Sequence, residues 1–92
     1  MKIGDRVIYR NLKNTNNNVI GVDIGVLLAN EKATVMRIDT YSIGRNILIR
    51  LESERPLLLQ ILGKEMTFWA YNENLVIDKE WYREKKLKEL GL

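Results

Sequence analysis

Three short apolar runs set between polar turns constrain this chain most: Lys2-Ile3-Gly4-Asp5-Arg6-Val7-Ile8-Tyr9, Ala33-Thr34-Val35-Met36-Arg37-Ile38-Asp39 and Trp69-Ala70-Tyr71-Asn72-Glu73-Asn74-Leu75-Val76-Ile77. Their apolar stretches are rich in β-branched and aromatic residues and none is longer than a strand, a pattern that predicts a small antiparallel β-barrel. With 92 residues the chain buries only about 60–65% of its unfolded surface, enough for one core and one domain. It has no cysteine, so no disulfide and no thiolate metal site supports the fold.

Read along the chain, five strands emerge. Asp5 to Tyr9 is the first, with Val7 and Tyr9 on one face and Arg6 and Ile8 on the other. Asn11 to Asn18 is too poor in apolar side chains to offset its ordering entropy and reads as a mobile loop. Val19 to Ala29 is apolar but interrupted by Gly21 and Gly25, which favours a folded-back loop or irregular strand over a helix. Lys32 to Ile38 is the second strand, and a hairpin connection with Gly44 leads to the third, in which Ile47, Ile49 and Leu51 share an apolar face. Arg50 and Glu52 lie on the opposite face, where Leu48 is the apolar exception. Pro56 to Gly63 is ambiguous, since a short apolar run has no diagnostic period, but Pro56 as a first helical residue and Gly63 as a stop permit two helical turns. Met66 to Tyr71 and Leu75 to Ile77 are the fourth and fifth strands. Asp78 is a fitting N-cap for a helix over residues 79–90, ended by Gly91. The barrel thus spans residues 1–77, and the helix, within 78–92, belongs to the same domain.

Gly4-Asp5-Arg6-Val7, the Thr34-Val35 strand ending in Asp39, the aliphatic run Ile47 to Leu51, and Trp69 shortly before Asn74-Leu75 together resemble the small Src-homology-3-like barrels carried by bacteriophages and mobile elements. The resemblance spans most of residues 2–77. It implies a five-stranded Src-homology-3-like barrel with an added C-terminal helix, and an accessory protein that binds and modulates a host or viral protein. Two departures stand out: Glu31-Lys32-Ala33 replaces the glycine usual before the Thr-Val strand, and the paired aromatics of the polyproline-binding adaptors are missing. Polyproline binding is therefore not expected.

The chemistry available is narrow. Without histidine or cysteine, the commonest general base and the best nucleophile are absent. Asp5, Asp23 and Asp39 lack the spacing of a calcium loop, and Gly21 to Gly25 lacks the lysine of a phosphate cradle. The expectation is a non-enzymatic module with no cofactor and no metal. No segment approaches the roughly 20 apolar residues of a membrane span, and a cytoplasmic setting is expected.

Two kinds of ligand compete. A protein partner would be held by Tyr41, Trp69, Tyr71 and the Leu58 and Ile61 run. Trp69 is either a core residue closing the barrel or an interface anchor; since neighbouring strand residues face opposite ways, either Phe68 or Trp69 points outward. A nucleic acid would instead use Arg37, Arg45, Arg50 and Lys64. Fifteen basic against twelve acidic residues give a net charge of only +3, and Glu52, Glu54 and Glu65 interleave with these cations, which favours an ordinary solvated face over a nucleic-acid site. Tyr82, Leu87 and Leu90 offer a surface for a homodimer.

Overall fold

A computed structural model describes residues 1–10, 18–19, 22–40 and 44–91. The Asn-rich loop expected over 11–18 lies outside these residues except for Asn18. Five strands form one antiparallel sheet: β1 (Arg6–Tyr9), β4 (Lys32–Ile38), β5 (Arg45–Leu51), β6 (Thr67–Tyr71) and β7 (Leu75–Ile77), in the spatial order β6-β5-β4-β1-β7. The two-residue strands β2 (Asn18–Val19) and β3 (Val22–Asp23) pair separately. The helices are α1 (Ile24–Leu28), α2 (Pro56–Leu62) and α3 (Lys79–Glu89).

The period-two pattern decides which face is buried. Val7 and Tyr9 of β1, Ala33 and Val35 of β4, and Ile47, Ile49 and Leu51 of β5 are all buried, as their alternation requires. Phe68 packs against this core, its ring 6.2 Å from that of Tyr9 and nearly perpendicular to it. The Tyr9 hydroxyl is satisfied inside the core by the buried Asn74, whose Nδ2 donates to it at 3.4 Å. Asn74 stands in a 3-10 turn, Asn72–Asn74, that carries the chain from β6 at one edge of the sheet to β7 at the other.

The helices add to the core what the sheet leaves open. Leu28 of α1 and Leu58 of α2 are both fully buried. Residues 19–29 are therefore not simply a loop or irregular strand: they contain a helical turn. Gly25 within that turn costs about 1 kcal/mol relative to alanine, but full burial of Leu28 contributes roughly 1.5–3 kcal/mol and outweighs it. The side chain of Arg55, just before α2, fastens the two helices by donating to the Leu27 carbonyl at 2.7 Å and pairing with Glu31 at 2.9 Å. Similarly, Met66 adopts a left-handed backbone, φ 55°, in the turn before β6. That conformation costs about 1–2 kcal/mol and is offset by burying the Met66 side chain.

The C-terminal helix starts where the sequence places it. Asp78 Oδ1 accepts the Trp81 amide at 3.2 Å, as an N-cap should. Its other oxygen is buried, with Lys32 Nζ 4.0 Å away. The Tyr82 hydroxyl accepts the Arg6 amide at 3.0 Å and donates to Asp5 Oδ1 at 3.3 Å. Trp81 lies against the Arg6 guanidinium, 5.2 Å from ring centroid to Cζ. These first-turn contacts hold α3 over β1, and every residue from Arg83 to Gly91 is exposed. Among the described residues no helix is long and apolar enough to cross a membrane.

Candidate binding surface on the outer face of the sheet

The face of the sheet turned away from the core has two halves. At β1, α3 covers it through Trp81 and Tyr82. Across β4, β5 and β6 it is open, and this half gathers Trp69, Arg37, Arg50 and Lys64 of the candidate residues. Along β5 the outward positions are Leu48, Arg50 and, just past the strand, Glu52. Leu48 sits directly opposite Trp69 of β6 on one side and Arg37 of β4 on the other. Arg50 sits between Thr67 and Thr34, and Thr34 faces Arg6.

A β-bulge shapes the middle of this surface. The register of β4 against β5 slips between Val35 and Arg37, so two β4 residues, Met36 and Arg37, stand opposite the single residue Leu48. Both are exposed. A regular strand would have sent one of them into the core; the extra residue re-aims it outward. The result is a patch of Trp69, Leu48 and Met36, with Trp69 and Met36 each 39% exposed, bordered by Arg37 and Arg50. Lys64 joins from the turn between α2 and β6. None of these three cations makes an ion pair among the described residues.

Two open clefts flank Arg50. One, about 360 Å³, is lined by Met36, Arg50, Lys64, Glu65 and Thr67. The other, about 380 Å³, is lined by Arg6, Thr34, Arg50, Leu51, Glu52 and Glu54. In the second, Arg6 is already committed: it pairs with Glu52, donates to Thr34 Oγ1 at 3.1 Å and stacks on Trp81. Glu54 makes no ion pair among the described residues.

Not every candidate belongs to this surface. Trp69 is outward and Phe68 inward, which resolves that alternative. Leu58 is fully buried and Ile61 is half-buried against the core, so the α2 residues chosen as contacts are packing residues: the helical period turns them inward. Tyr71 is half-buried beside Gly44. Tyr41 lies outside the described residues. Arg45 is in β5 opposite Tyr71, while Arg37, Arg50 and Lys64 come together on the open face. Tyr82 is engaged by Asp5 and Arg6, which removes it from the homodimer surface and leaves Leu87 and Leu90 exposed. Five residues separate Tyr82 from Leu87, about 140° around a helix, so Leu87 points away when Tyr82 docks.

Sequence reasoning missed Met36, because the bulge that turns it outward is a property of strand register. It also missed Trp81 as the residue that seats α3. Leu48 carried a visible signal, being the one apolar residue on the polar face of its strand. Among the described residues no group of three His, Cys, Asp or Glu side chains converges to hold a metal. In comparison with known proteins, the chain matches no protein-family model, no curated protein and no solved structure.

Proposed function

We propose that this chain is a non-enzymatic binding module, a Src-homology-3-like small barrel that holds a protein partner on the open outer face of β4, β5 and β6. The fold reading is supported by the β4-β5-β6 meander, the 3-10 turn before β7 and the return of β7 to pair with β1. One observation carries the functional reading: an outward Trp69 directly across from Leu48, with exposed Met36 on the other side of β5 and with Arg37 and Arg50 making no ion pair among the described residues. Tryptophan, methionine and arginine are the residue types that concentrate binding energy at protein interfaces. Such a patch suits a partner that offers apolar side chains together with carboxylates.

The test is binding by the whole chain immobilised on a surface. A partner captured from a lysate is expected to be lost with Trp69→Ala and with Arg37→Glu, while the urea midpoint of each variant shows that the fold survives. A partner retained equally by both variants places the interface elsewhere. A nucleic-acid ligand is the second reading, favoured by Arg37, Arg50 and Lys64, which make no ion pair among the described residues, on the same face as an exposed indole. It predicts binding to an oligonucleotide that weakens steeply with salt as counterions are displaced.

A further inference from the structure

The charges along β5 are ordered, and the order discriminates among ligands. Its outward positions run apolar, cationic, anionic: Leu48, then Arg50, then Glu52, with Glu54 in the same cleft as Glu52. Alternate residues of a strand are separated by about 6.6 Å. The flanking residues reinforce the first two steps. Trp69 widens the apolar position around Leu48, Met36 lies between that position and the next, and Lys64 adds a second cation beside Arg50, so that the cleft there carries two cations against the single carboxylate of Glu65. The third step remains anionic: Arg6 balances Glu52, the neighbouring Lys32 lies 4.0 Å from Asp78, and Glu54 makes no ion pair among the described residues.

Resting on the proposal that this face binds a ligand, we infer that the ligand is an extended polypeptide segment. It presents an apolar, an acidic and a basic side chain at every second residue, laid along the outward row of β5. An extended chain has the same repeat as the strand beneath it, so its alternate side chains meet Leu48 with Trp69, then Arg50 with Lys64, then Glu52 with Glu54. A polynucleotide matches the middle of this row and conflicts with its end, where every phosphate would meet the glutamates. A uniformly acidic peptide meets the same conflict. A mixed-charge segment satisfies all three positions, and the anionic end rejects the alternatives.

A displayed library of random decapeptides, selected on the immobilised whole chain, tests this. The expected consensus is apolar-x-acidic-x-basic, read in either chain direction. Binding of the selected peptides should fall about tenfold with Arg50→Glu, since reversing an exposed charge both removes an attraction and adds a repulsion. Peptides in which the acidic residue is replaced by lysine should recover binding to Arg50→Glu. Arg50 is exposed, and an unchanged urea midpoint separates lost contact from lost fold. A consensus without an acidic residue two positions from the apolar one, binding indifferent to Arg50→Glu, or no enriched peptide at all overturns the inference. Oligothymidylate is the companion probe. If it binds and Trp69→Ala and Arg50→Glu abolish that binding while no peptide responds, the polypeptide inference falls and the binding face stands. If neither probe responds to either substitution, the face itself is wrongly placed.

Discussion

Replacing Tyr82 by phenylalanine removes one oxygen and tests what holds α3 to the sheet. That oxygen takes the Arg6 amide at 3.0 Å and gives its proton to Asp5 at 3.3 Å. Asp5 keeps a second partner, the Lys2 amide at 2.9 Å, so the main loss is the partly buried Arg6 N–H left without an acceptor. An orphaned buried donor costs about 1–3 kcal/mol, against about 0.5–1.5 kcal/mol for an ordinary exchange of partners with water. We expect 1–2 kcal/mol at the urea midpoint, since the phenyl ring still packs. A domain of this size is stable by only about 5–14 kcal/mol, so the change is easily measured and lowers Tm by roughly 4–16 °C. Part of the effect should be local. Isolated helices below about 12–15 residues are marginal in water, and α3 has 11, so a loosened helix melts. Amide exchange over Arg83 to Glu89 should accelerate more than that of β4 or β5. If Tyr82→Phe leaves both the midpoint and α3 protection unchanged, the hydroxyl is not the tether, and Trp81 against Arg6 must hold the helix alone.

The remaining predictions follow the same physics. Leu58→Ala empties a fully buried site and should cost 2–5 kcal/mol by chemical denaturation, within the usual range for a core leucine. Gly44→Ala should destabilise more than Gly63→Ala, since both glycines have positive φ but only at Gly44 would the new Cβ meet a neighbour, Tyr71 Cε1 at 3.3 Å; equal losses would mean that backbone strain alone decides. Phe68→Ala should cost several times more stability than Trp69→Ala, because Phe68 packs on the core and Trp69 faces outward; near-equal midpoints would refute the assignment of faces. Light scattering at micromolar concentration should give a monomer, as Leu87 and Leu90 alone fall far short of the roughly 1,000 Å² that a stable interface buries; a dimer dissociated by Leu87→Lys would overturn this.

The strands were legible because burial on one face imposes a period of two that side-chain chemistry must obey. Val7 with Tyr9, and Ile47 with Ile49 and Leu51, declare their face in the sequence itself. The N-cap at Asp78 and the Pro56 start of α2 were legible because each answers a local backbone need. Two things were not. The turn of helix at α1 is held by the burial of Leu28, a tertiary contact that overrides the local penalty of Gly25. The proposed binding surface depends on a register slip between β4 and β5, and register is a relation between strands that neither strand's sequence contains. Arg37 and Arg50 were marked as cations in the chain, yet what joins them to Trp69 is the single residue Leu48, opposite both Arg37 and Trp69. The apolar residue that broke the pattern of its strand was therefore the sequence's clearest pointer to the proposed site: a half-buried leucine turned away from the core has no folding rationale from the core packing, and it lies between Arg37 and Trp69 at the centre of the proposed surface.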